Sequence, residues 1–388
     1  VVYERNNKAY KKSFKREKIH LDAIPYAISY DDIIYIQLTN FTEKTSEEFK
    51  KKFLSLKSKM DTKGLIIDLR GNPGGIIDEA VNICNMFLPK SQKVVETKGK
   101  NTQWDKVYYT EKEPLDLNIP IVVLVNEYSA SASEIVAGAF QDLDRAVIIG
   151  GRTYGKGLVQ TTRELYYNDY LKLTIAKYYT PSGRCIQSVD YAKNGQAEKI
   201  ADNLTQVFKT QKGREVRDGG GILPDILMPR PEFLNISYKL EEEFLIFDFV
   251  SDFVNRNTSI PPVEDFELID EEYERFKSFL KEREFTYELK SHSLLQKLQD
   301  IIKLEGYLEF TEEEIISLQK KLIPDTDKDL DFFKENIKKI LSIEIVKRYY
   351  YQKGAIQEFL KTDQELKKSI DILRNQEEYR SYLSVEKK

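Results

Sequence analysis

The apolar positions of this chain change period partway along it. Ile33, Ile34, Tyr35, Ile36 and Leu38 form a largely apolar stretch, and residues 8 to 40 are expected to fold as short strands. Thr45 and Glu48 have capping-box spacing, and Phe49, Phe53 and Leu56 then fall on one face at helical spacing, which predicts a helix. The run Gly64 to Leu69 reads as a strand, Arg70 to Gly75 as a glycine turn, and the residues through Leu88 as a helix. The order then repeats. Ile121 to Val125 is a buried strand, residues 126 to 130 turn, Ser131 to Leu143 is helical, and Ala146 to Ile149 is a third apolar strand. Strands that are apolar throughout and alternate with helices predict an α/β layer, a mixed sheet covered by helices.

Residues 157 to 180 return to β character, with Leu171, Leu173 and Ile175 alternating, and residues 190 to 220 are polar and read as a long loop that rejoins at Gly219 to Asp225. From about residue 238 the period is helical. Phe244, Phe247, Val250 and Val254, then Phe276, Phe279 and Leu280, then Ile337, Ile340, Leu341 and Ile345 are helix-spaced sets, and Thr311 with Glu314 is a second capping box. Pro261-Pro262, Gly306, Pro324 and Gly354 divide this region into five or six helices. With a boundary near Pro231, the expected organisation is residues 1–24 as an N-terminal segment, 25–232 as the α/β core and 233–388 as an all-α domain.

Composition narrows the partners. The 64 acidic and 60 basic side chains nearly cancel, to a formal charge of -4, and they are interspersed, which argues against nucleic acid as the main partner. No apolar run is long enough to span a membrane, and there is no apolar core of signal-peptide type. Cys84 and Cys185 allow at most one disulfide and match no metal-site spacing, and His20 and His292 adjoin no catalytic or ligand cluster. No metal or organic cofactor is implied.

Without an available histidine, a nucleophilic serine needs another base, and a neutral lysine amine is the usual substitute. Ser131 opens a helix after a buried strand, beside backbone amides that have no partner in the helix and at the positive end of its dipole. Lys156 lies in Gly155-Lys156-Gly157 after the third apolar strand, where desolvation would lower the amine's pKa. The glycine turn Asn72 to Gly75 and the Ala132 amide could together hold an oxyanion. Taken singly, each feature has a plainer reading, as an N-cap or a turn.

Together they resemble the C-terminal processing (tail-specific) peptidases. The segments that carry the resemblance are Ile67 to Gly75, Val125 to Glu134, Gln141-Asp142, Thr153 to Gln160, Tyr179 to Arg184 and Gly221 to Asp225, spanning about residues 25 to 230. The resemblance implies a Ser-Lys protease core of crotonase-like or ClpP-like layering. It puts the nucleophile on the serine 25 residues before the lysine, which selects Ser131 over Ser129 and Ser133. It further implies that Gln160 orients Lys156, that Gly74 and Ala132 donate to the oxyanion, and that Asp142 has a supporting role. It implies polypeptide substrates with accessible C-termini, and a place outside the cytoplasm, in a bacterial periplasm or cell envelope.

Such enzymes carry a PDZ module ahead of the core, of which residues 1–24 are at most the last strand. The helical region is read as an oligomerisation or packing domain, a route to a homo-oligomer. Two rivals stand beside this reading. Gly150 to Lys156 has phosphate-loop spacing, but Gly157 replaces the required Ser or Thr and a strand follows in place of a helix. A catalytically silent binding protein of the same fold is the other.

Overall fold

The apolar runs become the centre of a sheet. A computed structural model describes the chain at all residues except 6, 18, 20, 21, 192–196, 201, 230–234, 323 and 386–388. It divides into two units, Val1–Ile148 with Arg152–Asp225 and Gln376–Lys388, and Ile149–Gly151 with Ile226–Asn375. The boundary expected near Pro231, and His20, lie outside the described residues.

The first unit opens with a hairpin of exposed residues, β1 (Val2–Arg5) and β2 (Lys8–Lys11). Then come β3 (Tyr26–Tyr30), β4 (Ile33–Gln37), helix α1 (Thr45–Lys57), β5 (Gly64–Asp68) and α2 (Ile77–Asn85). After β6 (Lys93–Gly99) and β7 (Lys106–Tyr109) follow β8 (Ile121–Val125), α3 (Ala132–Asp142) and β9 (Val147–Gly150). Strands lie in the order β9-β8-β5-β4-β3, with β4, β5 and β8 parallel and β3 antiparallel at the edge. Every residue of β5, β8 and β9 is buried, as parallel strands covered on both faces require. Phe49 and Phe53 of α1, Phe87 after α2 and Phe140 of α3 meet edge to face, with Phe87 at the centre and 5.3 to 6.4 Å between ring centroids. That aromatic contact seats α3 on the sheet, with its N-terminus at the carboxyl end of β8.

A second sheet, ordered β10-β11-β6-β7, takes in β10 (Leu158–Glu164) and β11 (Tyr170–Tyr179). The polar region beyond is not a plain loop. It holds two short hairpins, β12 (Val189–Tyr191) with β13 (Ala197–Lys199) and β14 (Val207–Lys209) with β15 (Glu215–Arg217). A short strand, β16 (Ile226–Leu227), pairs in parallel with Ile149–Gly150.

The second unit is helical: α4 (Asn235–Glu242), α5 (Leu245–Arg256), α6 (Asp270–Glu282), α7 (Lys290–Leu304), α8 (Leu308–Lys321), α9 (Thr326–Phe332), α10 (Lys334–Leu360) and α11 (Gln364–Arg374). Its core joins Phe249 of α5, Tyr273 and Phe276 of α6, and Ile337, Leu341 and Ile345 of α10, all buried. Helix α12 (Gln376–Tyr382) belongs to the first unit, where the Tyr379 hydroxyl accepts the Ile121 N–H at 2.9 Å.

Three local expectations change. Helix α1 begins at Thr45, but its N-cap is Lys44 in the left-handed region, and the Thr45 hydroxyl accepts the Thr42 N–H instead of capping the helix. Thr311 lies inside α8 and donates to Tyr307 O one turn back, because that helix starts four residues earlier than the capping pattern implies. The described residues of the second unit form eight α-helices where five or six helices were expected for the whole helical region, and the break expected at Gly354 falls three residues earlier. It sits within α10, whose kink is at Tyr351 with φ 58°.

Candidate active site

The site grows from the ends of β5 and β8. At the end of β5, Asp68 is buried, accepts the Tyr35 hydroxyl at 2.7 Å and receives the Arg70 guanidinium at 2.6 Å. The turn that follows is organised by Asn72, itself fully buried. Its side chain donates to Leu38 O and accepts the Gly74 N–H, both at 2.8 Å. Its carbonyl accepts the Ala130 N–H at 3.0 Å and the Ser133 hydroxyl at 2.9 Å. The glycine turn is thereby stitched to the segment around Ser131. Gly74, at φ 101°, could carry no side chain, because a β-carbon would stand 2.7 Å from Ser131 Cβ and 2.8 Å from Ala132 N.

The three serines after β8 have different environments. Ser129 is buried, donates to Leu69 O at 2.8 Å and accepts the Asn126 N–H at 2.9 Å. Ser133, also buried, is spent on Asn72. Ser131 is half-buried and occupies the N-cap of α3 at φ 58°, ψ -114°, a strained conformation for a residue with a β-carbon. Ala132, buried, is the first residue of that helix, where an amide has no intrahelical partner.

Sequence reasoning missed the residue that ties the site together. Glu134 is fully buried, and its carboxylate accepts four hydrogen bonds. Oε2 takes the Ser131 and Lys156 amides, each at 2.9 Å, and Oε1 takes the Gly155 amide at 2.7 Å and the Thr153 hydroxyl at 2.6 Å. Ser131 and Lys156 are thus two hydrogen bonds apart through one oxygen atom. Burial pushes the Glu134 carboxyl above the usual carboxylate range, against the pull of these donors. A signal for it was present, since Glu134 stands three residues after Ser131 at capping-box spacing.

The lysine loop is held closely elsewhere. Tyr154 N–H donates to Ser129 O at 3.1 Å, and Gly157 N–H donates to the Gln187 side chain at 2.7 Å. A β-carbon on Gly155 would stand 2.4 Å from Ser188 Cβ. Lys156 is half-buried. Gln160 is exposed on β10, just past a register shift between Val159 and Gln160.

Asp142 is not brought to this cluster. It ends α3, eleven residues from Ser131, or about 16 Å along the helix axis. There it is buried against Arg184 at 2.8 Å and accepts the Ser182 N–H at 3.0 Å. Among the described residues no group of acidic, histidine or cysteine side chains could hold a metal ion, and no helix is long and apolar enough to cross a membrane. Both cysteines are free thiols, and burial raises the pKa of each. His292 lies on α7, in the second unit.

Comparison with known proteins gives two family matches. Residues 32–194 match peptidase family S41, and residues 236–373 match a family described as probable PDZ-protease, C-terminal helical domain. A carboxy-terminal-processing protease of Bartonella bacilliformis is 44% identical over 177 residues, covering 45% of this chain and 40% of the relative. A probable CtpA-like serine protease of Staphylococcus saprophyticus is 35% identical over 220 residues, covering 56% of this chain and 44% of the relative. The chain thus spans less than half the length of these curated relatives. A solved photosystem II D1 C-terminal processing protease aligns over 50% of this chain and 42% of its own at 28% identity and a TM-score of 0.38.

Proposed function

For a chain whose residues 32–194 match peptidase family S41, we propose a serine endopeptidase that cuts polypeptides at or near their C-terminal region through a Ser131-Lys156 dyad. The observation that carries the reading is the shared Glu134 oxygen, which fixes the backbone of nucleophile and base together.

In this mechanism neutral Lys156 takes the Ser131 proton as Oγ bonds to the substrate carbonyl carbon. Lysine then gives that proton to the leaving amine as the C–N bond breaks, leaving an acyl-enzyme. Water activated by the same lysine hydrolyses the ester and restores Ser131. Gln160 orients the lysine. The Ala132 amide is one oxyanion donor and Gly74 the other. Gly74's amide donates to Asn72 at rest, so its use in catalysis needs that bond exchanged. Strand β10 begins two residues after Lys156 and is the edge of its sheet, which suits a substrate added as a further strand. Residues 25–232 then form the protease core and 233–388 a helical domain through which copies associate. The bacterial relatives support a place outside the cytoplasm, in the periplasm or envelope.

The test is cleavage of an unfolded reporter protein by the chain, beside Ser131→Ala and Lys156→Ala, with fragments mapped by mass spectrometry. Wild type should cut near chain ends and both folded variants should be inactive. Equal cutting by all three would remove the dyad, and a wild type that neither cuts nor reacts with a serine-directed acylating probe would favour the silent binding protein.

A further inference from the structure

The loop that carries Lys156 runs from the end of β9 at Gly150 to the start of β10 at Leu158 without regular structure, so its backbone polar groups are held by other parts of the unit. Glu134 takes the amides of Gly155 and Lys156. A second holder is a segment that the mechanism above does not use. The Gln187 side chain, only 9% exposed, accepts the Gly157 N–H on Oε1 at 2.7 Å and donates from Nε2 to Val189 O at 3.0 Å. One partner is a donor and the other an acceptor, which fixes the orientation of the amide. Ser188 adds to the hold. Its N–H donates to Gly155 O at 2.9 Å, and its hydroxyl reaches Tyr154 O at 3.0 Å and Gly155 O at 3.1 Å.

The same contact accounts for the two glycines that flank the lysine. A β-carbon on Gly157 would stand 2.8 Å from Gln187 N and 3.0 Å from Gln187 Cβ, and one on Gly155 would stand 2.4 Å from Ser188 Cβ. Residues 187 and 188 fill the space that side chains at those positions would need. They act at the exit of the loop, where Glu134 makes no bond: the Gly157 N–H is the last amide before β10, and the Gly157 carbonyl accepts the Tyr178 N–H at 3.0 Å. Gln160, by contrast, is exposed on β10. A general base must stand within hydrogen-bond reach of the proton it takes, and a misplacement of about 1 Å can cost about a hundredfold in rate.

We propose that Gln187 and Ser188 are positioning residues for the general base, holding the exit of the loop so that Lys156 stays in register with Ser131. The proposal rests on the Ser131-Lys156 reading and deepens it by naming two residues, outside the segments that point to the dyad, on which the base depends.

The experiment uses the full chain with Gln187→Met, which keeps the length of the side chain and removes both hydrogen bonds, and with Ser188→Ala, which removes only the hydroxyl and carries the test if the first variant disturbs folding. Steady-state cleavage of an unfolded reporter, at a temperature where thermal unfolding shows each variant fully folded, should give kcat lowered at least about tenfold by Gln187→Met and about threefold by Ser188→Ala, with KM within about twofold of wild type. Hydrogen exchange of the peptide covering residues 153–160 should be faster in both variants than in wild type. A purely structural role would lower the unfolding temperature and leave kcat of the folded enzyme unchanged, and that result would overturn the proposal. So would a raised KM with an unchanged kcat, or unchanged exchange over the loop. Lys156→Ala is measured beside them. If it cuts as wild type does, the dyad reading falls and takes with it the base to be positioned; if it is inactive while Gln187→Met and Ser188→Ala keep the wild-type kcat, the positioning role alone falls.

Discussion

Replacing Glu134 with glutamine should separate the anchoring of the dyad from the dyad itself. Each carboxylate oxygen accepts two hydrogen bonds, one oxygen from Ser131 and Lys156 and the other from Thr153 and Gly155. Glutamine keeps one oxygen and puts an NH₂ group in place of the other, so in either orientation two donors face a donor. Hydrogen bonds to a charged group contribute about 1.5 to 3 kcal/mol each, and a neutral amide is easier to bury than a carboxylate, which offsets part of the loss. The net destabilisation should be about 3 kcal/mol. If the same interactions hold Ser131 and Lys156 in register in the transition state, the rate should fall about a hundredfold. Urea unfolding followed by circular dichroism gives the first number, and kcat on an unfolded reporter under folding conditions gives the second. A wild-type midpoint together with a wild-type rate would refute the anchoring role.

Other substitutions test neighbouring parts of the argument. Asp142→Asn leaves Arg184 buried without its charge partner and should cost about 3 to 5 kcal/mol in a urea titration while leaving kcat of the folded enzyme unchanged; a large loss of kcat without a loss of stability would restore a catalytic role. Tyr379→Phe strands the buried Ile121 N–H and should cost about 1 to 3 kcal/mol in the same measurement, whereas an unchanged midpoint would mean that α12 is not held by this bond. Hydrogen bonds from Lys338 and then Lys334 lower the Asp270 pKa to about 2, from 3.8 for the unperturbed group. Its folded-state value is depressed, so its contribution is present above about pH 4 and lost as pH falls toward 2. The stability difference between wild type and Asp270→Asn should close over that window, and a difference constant with pH would show that the pair contributes nothing through charge.

Much of the core was legible in sequence because parallel strands buried on both faces are apolar at every position, as β5, β8 and β9 are, and a strand followed by a glycine turn and a helix marks itself locally. The helical region was legible in kind, since apolar residues recur at helical spacing, yet its helix count was not. The glycine inside α10 marked a break only to within three residues, since the kink is at Tyr351, and its missing side chain leaves room that Tyr350 and Val346 occupy, a β-carbon standing 2.3 Å from Tyr350 Cβ. Capping boxes misled at Thr45 and Thr311, because a pattern of two residues does not say where the backbone leaves the helix.

By itself, then, the sequence determined the residue types at the candidate site, their order, and the layering of strand and helix around them, all properties of neighbours along the chain. Only the tertiary structure decided that Ser129 and Ser133 spend their hydroxyls on backbone carbonyls, that Asp142 serves Arg184 at the far end of its helix, and that Glu134 receives the amides of both Ser131 and Lys156, the latter 22 positions away along the chain. The physical reason is that hydrogen-bond partners are set by proximity in space, and a buried carboxylate takes whichever donors the packed core brings within reach.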